Sequence, residues 1–281
     1  MGVELLEILQ AIVLAAVQGV SAWIPVSSKT QVLLAANALY AIPFKTALAF
    51  ALLLHIGDLL AALWKYRVEY AAAASLAFSK PLSITKFDNS PSDQSRFLIV
   101  ATTATCLLAL PLYLLSKKLF ANLSGEPLLL AVGILLLLMA GITAYTRRKQ
   151  FAGNATSPKT AVVTGLAQAL AVIPGISRSG ATQSALLLQG IEQQKAVRLS
   201  FLMAAPMIVA AFAAFSAVEG FQGFSIESIL VGIAVSAVVS LLTMDAVSKI
   251  ARSLPSHYFL AGTGLLCMVP YAIKAFLGFS S

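Results

Sequence analysis

Charge is what this 281-residue sequence has least of: 11% of its residues are Asp, Glu, Lys or Arg, against 59% hydrophobic ones. Soluble domains carry roughly a quarter charged residues, so a soluble globular fold is excluded. The two cysteines, Cys106 and Cys267, both lie in apolar runs and support neither a disulfide framework nor a thiolate metal cluster. No CxxC, HExxH, P-loop or GxGxxG pattern occurs, which removes the familiar metallohydrolase and nucleotide sites. Glu4 and Glu7 stand where a leader peptide has its basic region, so the first apolar segment is expected to belong to the mature fold. The net charge of +8 would suggest nucleic acid in a soluble protein. Here basic loops between membrane segments account for it, and no nucleic-acid partner is expected.

What the sequence does have is apolar runs near 20 residues long, the signature of an all-α polytopic membrane protein. Six crossings are expected, at about Thr46–Tyr66, Phe97–Leu115, Pro127–Tyr145, Ala196–Ala217, Ser225–Val247 and Tyr258–Leu277. Two further segments are broken by proline and polar residues: Leu5–Val20 continuing to Tyr40, and Thr160–Ile173 continuing to about Gly190. Both read as re-entrant helical hairpins, since irregular backbone at bilayer depth survives only inside protein or beside a wet cavity. Residues 1–150 then form one repeat (hairpin 5–40 plus three crossings). Residues 151–281 form a second (hairpin 160–190 plus three crossings), inverted because three is odd. This layout puts thirteen Lys and Arg residues on one side and four on the other, with Lys29 and Arg178 at the tips. The positive-inside rule makes the rich side cytoplasmic and places both termini outside a plasma membrane.

The tips carry a repeated phrase. Pro25-Val-Ser27-Ser28-Lys29-Thr30 and Pro174-Gly-Ile-Ser177-Arg178-Ser179 share the pattern P-x-x-S-[K/R]-[S/T], and Gln18 and Gln168 precede them at similar distances. A helix starting at each tip aims free backbone N–H groups at it, and an N-terminus so placed attracts anions. Lys29 and Arg178 add charge; Ser27, Ser28, Ser177, Ser179 and Thr182 add hydroxyl donors. A cation at mid-depth costs about 2.5–3.5 kcal/mol on insertion scales, so two matched copies indicate one two-sided anion site. The alternative is that the serines only cap helices while the cations snorkel or pair with carboxylates. Asp58 is the one carboxylate well inside a crossing, three residues after His55 and hence on the same helix face. The pair reads as a base with its orienting carboxylate, half a metal site, a structural pair, or a counter-charge for a tip cation. His257 falls in a loop and reads as solvated.

These residues make the sequence resemble the bacterial undecaprenyl pyrophosphate phosphatase (BacA/UppP) family. Pro174-Gly-Ile-Ser-Arg-Ser-Gly-Ala-Thr182 fits its PGxSRSxxT signature, and Pro25-Val-Ser-Ser28 resembles its first loop. The resemblance implies an integral-membrane hydrolase, in the bilayer of the cell envelope, that converts a polyprenyl diphosphate to its monophosphate. It assigns Arg178 to the diphosphate, Ser177, Ser179 and Thr182 to the pocket, Ser28 to the nucleophile or a phosphate ligand, and Gln18 to the first position of an [E/Q]-x-x-x-E motif. Three positions depart from the family pattern: Ala22 stands for its second acid, Gln31 for its histidine, and the cation Lys29 for a residue that is usually small or neutral. The implied divalent cation, Mg or Ca, therefore lacks its acid, and the metal ligands stay unassigned. His55 with Asp58 is the candidate replacement base, and Lys29 and Gln31 complete the substrate-binding set. A homodimer is an open alternative to a single chain. A translocase of polyprenyl phosphate or another anion is the alternative function.

Overall fold

The computed structural model describes residues 2–79, 84–88, 90–120, 125–148, 156–173, 175–218, 224–250 and 256–277. The tip residue Pro174 and the expected 150/151 repeat boundary lie outside them. Twelve α-helices are present among the described residues. They are α1 Gly2–Ser21, α2 Ser28–Tyr40, α3 Phe44–Lys65, α4 Arg67–Ser79, α5 Asp93–Phe120 and α6 Gly125–Arg148. The remainder are α7 Pro158–Ala169, α8 Arg178–Leu188, α9 Gln193–Leu202, α10 Ala204–Val218, α11 Ile226–Ile250 and α12 Ser256–Leu277. Five helical stretches are long and apolar enough to cross a membrane, and they cover the first five expected crossings. The sixth expected crossing is the 22-residue α12. Large apolar side chains such as Leu107, Leu138 and Leu242 are exposed on the outside. An all-helical protein that faces its solvent with leucine is a polytopic membrane protein.

Each broken segment forms a helix, a turn and a shorter helix. For the first segment these are α1 and α2; for the second they are α7, a 3-10 turn over Leu170–Val172, and α8. α1 packs on α11 and α2, α7 packs on α5 and α8, and α6 pairs with α12. The expected crossing over Ala196–Ala217 is two helices rather than one, with the break at Met203. Its cause lies three residues on. Pro206 has no N–H to give the carbonyl of Leu202, and the Tyr70 hydroxyl donates to that carbonyl instead, at 3.0 Å. Burial pushes the Tyr70 phenol well above its usual range, so the donor proton stays in place. The short helix α4, which carries Tyr70, was not legible as a separate element in the sequence.

Small residues let the helices approach. Along α11, Ser228, Gly232, Ser236 and Ser240 are buried or half-buried at four-residue spacing and form a stripe against α3. Across from it, a Cβ placed on Gly57 would stand 2.5 Å from the Ile233 carbonyl oxygen. The same holds on the other side, where a Cβ on Gly165 would collide with the Ala101 carbonyl. At the end of α3 bearing Lys65, the ion pairs Lys65–Asp245 and Arg198–Glu69 tie α3 and α4 to α11 and α9.

Gly57→Ala is expected to force α3 from α11 and lower thermal stability by about 1–3 kcal/mol, the usual cost of overpacking. Gly141, with nothing within 4 Å of its Cβ position, is the control and should tolerate alanine. Thermal unfolding in detergent measures both. A second expectation concerns the segment before α5, where Arg96 holds Asp88 at 2.6 Å and Asp93 at 2.7 Å. The Ser90 hydroxyl and then Arg96 hold the Asp88 carboxyl down to about 2. Its stabilising contribution is therefore present above the ordinary Asp range and lost as pH falls toward 2. Hydrogen exchange of the 88–93 amides should accelerate over that window and not above it.

Candidate functional site at the two turns

The two turns meet. Ser27, the residue before α2, has left-handed φ of 57°, costing a non-glycine residue roughly 1–2 kcal/mol. Its hydroxyl faces Thr30 Oγ1 at 3.0 Å rather than capping a backbone N–H. Ser177 at the start of α8 behaves conventionally, accepting from the Gly180 N–H at 3.2 Å. Ser28 and Arg178 are thus the first residues of their helices.

Each turn is fastened by the other's side chains. Lys29 Nζ donates to the Ala171 carbonyl at 2.9 Å. In the opposite direction Arg178 Nη2 donates to the Ala22 carbonyl at 3.3 Å, and Ser179 Oγ to the Ile24 carbonyl at 2.9 Å. Arg178 Nη1 also donates to the Ser200 carbonyl at 2.9 Å, an acceptor left open where α9 ends, and its guanidinium lies 5.5 Å from the Trp23 ring centroid. Thr182 Oγ1 sits 2.6 Å from Ser200 Oγ and Ser177 Oγ 3.3 Å from Ser179 Oγ. Among the described residues neither Lys29 nor Arg178 has an ion-pair partner. The reading in which a carboxylate neutralises these cations by direct contact is therefore not what is observed.

Behind the first turn lies a second polar group. Gln18 Nε2 donates to Asp58 Oδ2 at 2.6 Å and reaches Ser28 Oγ at 3.3 Å and His55 Nε2 at 3.2 Å. His55 Nδ1 lies 2.6 Å from the Ala51 carbonyl, which can only accept, so Nδ1 carries the proton and Nε2 the lone pair. That lone pair faces Ser28 Oγ at 3.5 Å. Asp58 does not grip His55, as a base with its orienting carboxylate would require. Instead it holds Gln18, while Ser236 and Ser240 of α11 donate to its other oxygen. A backbone carbonyl orients the histidine. Gln18 Oε1 is left as a buried acceptor without a protein partner.

Gln18, Ser28, His55 and Asp58 are therefore brought together, and Ser27, Lys29, Ser177, Arg178, Ser179 and Thr182 form the interlocked turns beside them. Gln31 is elsewhere: its amide bonds the Val26 carbonyl and Thr263 of α12, both at 3.2 Å. Ser200, Ser236 and Ser240 were missed from the sequence. The four-residue serine spacing on α11 was a usable signal for the last two; nothing local marks Ser200. An apolar cavity of about 630 Å³ ends at the first turn. Its lining includes Leu33, Leu52, Leu110 and Leu128, and Lys29 is its charged member.

The donor set fits a resident Mg or Ca ion poorly. Such ions take six or more oxygen ligands, commonly several carboxylates. Among the described residues no three His, Cys, Asp or Glu side chains cluster. The one carboxylate present, Asp58, already accepts from Gln18, Ser236 and Ser240.

Residues 11–268 match the profile of the family described as "Bacitracin resistance protein BacA". The chain is 36% identical over 250 residues to a protein of Haloarcula marismortui named undecaprenyl-diphosphatase, covering 88% of this chain and 91% of that one. Proteins of the same name from Methanococcoides burtonii and Methanopyrus kandleri are each 32% identical. The alignments cover 94% and 96% of this chain and 98% of each relative. Paired turns with a half-buried cation each, and a match over nearly the whole length, lead to one statement: the chain belongs to the BacA family.

Proposed function

We propose that the chain is a membrane phosphatase that hydrolyses a polyprenyl diphosphate, of undecaprenyl type, to the monophosphate and inorganic phosphate. One observation carries the mechanism: the Ser28 hydroxyl faces His55 Nε2, which carries the ring's lone pair because Nδ1 is bound to the Ala51 carbonyl, and which Ser28 shares with the Gln18 amide. A translocase has no use for that pairing, which favours hydrolysis over the transport alternative.

Lys29 and Arg178 hold the diphosphate, exchanging neutral carbonyl partners for phosphate oxygens, with Ser177, Ser179 and Thr182 as nearby donors. Ser28 Oγ attacks the terminal phosphorus as its proton passes to His55 Nε2. The bond from that phosphorus to the bridging oxygen breaks. The polyprenyl monophosphate leaves with the electron pair and receives the proton from His55. Water then gives a proton to His55 and attacks the phosphoserine; the P–Oγ bond breaks, the proton returns to Ser28, and phosphate departs. Gln18, held by Asp58, keeps Ser28 and His55 in register.

The architecture proposed around this site is an inverted repeat with two re-entrant hairpins, spanning 1–150 and 151–281. The helix pairings support it: α1 packs on α11 as α7 packs on α5, each across the halves, and α2 packs on α3 as α8 packs on α9, each within one half. The Lys and Arg asymmetry supports a plasma-membrane protein with both termini outside. The site is complete within one chain, so this reading does not require the homodimer.

His55→Gln keeps a polar group but removes the base, and is expected to slow phosphate release from a polyprenyl diphosphate by about 10²–10⁴-fold. Arg178→Lys should cost about tenfold or more, because an ammonium cannot give a phosphate the planar bidentate contact of a guanidinium. Phosphate release by purified protein in detergent measures both. Unchanged release in His55→Gln would refute the assignment of the base.

A further inference from the structure

We propose that Lys29 takes the place of a divalent cation in this chain, so that the diphosphate is gripped and cleaved without a metal ion held by the protein. The inference rests on the reading that a diphosphate binds between the turns, and it adds which charge balances it.

Three features place Lys29 against every local preference. It lies in the first turn of α2, where the helix dipole repels a cation. It lines an apolar cavity, and among the described residues no carboxylate pairs with it. Among the described residues its one hydrogen bond is to the Ala171 carbonyl, which leaves two of the three ammonium protons for a ligand. A residue held so unfavourably in a satisfied fold is placed for an anion.

The complementary change is at residue 22. Its carbonyl accepts from Arg178 Nη2 at 3.3 Å, so an acid at this position would add a negative charge to the turn that the guanidinium grips. Alanine removes that negative charge, and Lys29 adds a positive one. The two changes act in the same direction, and together they equal the charge of the divalent ion whose ligands are missing. Asp58 does not restore a metal site: both its oxygens already accept hydrogen bonds, and Gln18 separates it from Ser28. Charge neutralisation at the phosphates, one of the roles a metal ion plays in phosphoryl transfer, is then supplied by two fixed cations, one from each turn.

The test uses the purified full-length chain with farnesyl diphosphate, in excess EDTA and with added Mg or Ca. Two quantities are read: phosphate release, and the rise in unfolding temperature on adding the diphosphate. Wild type should keep both in EDTA. Lys29→Ser should lose about tenfold or more in diphosphate affinity, while Lys29→Arg retains most of it. Ala22→Glu combined with Lys29→Ser should bind diphosphate only when a divalent cation is added. Loss of wild-type binding in EDTA with recovery on adding cation would overturn the proposal, as would unimpaired binding by Lys29→Ser. If Lys29→Ser does not fold, the wild-type EDTA arm and Lys29→Arg still decide. Lys29-dependent, EDTA-resistant binding without phosphate release under any condition would sink the phosphatase reading while leaving the metal-free grip standing.

Discussion

Everything in this molecule turns on how two interrupted helices satisfy their backbone away from water. A turn buried among helices leaves carbonyls and N–H groups unpaired, and each one left without a partner costs about 1–3 kcal/mol. Here the two turns solve the problem for one another. Lys29 covers the Ala171 carbonyl of the second turn, and Arg178 and Ser179 cover the Ala22 and Ile24 carbonyls of the first. The break at Met203 joins the arrangement, since it opens the Ser200 carbonyl to Arg178, and Tyr70 covers the carbonyl that Pro206 abandons. Neither turn keeps its shape without the other.

This exchange also explains why the cations are available. A buried arginine or lysine paired with a carboxylate would have to break an ion pair to take a phosphate. A carbonyl carries only a partial charge, and a phosphate oxygen outcompetes it. The apolar cavity beside Lys29 suits the other half of an amphiphile: head at the ammonium, chain along Leu33, Leu52 and Leu110.

Much of this was legible in the sequence because membrane burial is demanding. The run lengths located the crossings, and the repeated P-x-x-S-[K/R]-[S/T] phrase located both turns, since a cation in lipid needs a reason. The His55–Asp58 spacing placed both residues on one helix face, and the structure brings that face to Gln18 and Ser28. What could not be read was which acceptor each donor takes. Ala51, Ala22, Ile24, Ala171 and Ser200 act through their carbonyls, and a carbonyl is the same in every residue type. The division of α9 from α10 was missed for a related reason: Pro206 was visible, but whether a proline kinks or splits a helix depends on what covers the freed carbonyl. In this case that is Tyr70, on a helix 132 residues away in sequence.

The placement of Asp58 shows how a site can use a carboxylate without exposing it to an anionic substrate. A negative charge beside the phosphates would repel them and offset Arg178. Asp58 instead stands one residue behind the reacting groups, its charge spread over Ser236, Ser240 and the Gln18 amide. That amide then presents a donor to Ser28 and His55. The close α3–α11 approach at Gly57 brings the two serines within reach of the carboxylate. Packing by small residues, a shielded carboxylate and a correctly aimed histidine are thus one structural unit. The interlocked turns across from it are a separate unit, and Ser28, at the head of α2, belongs to both.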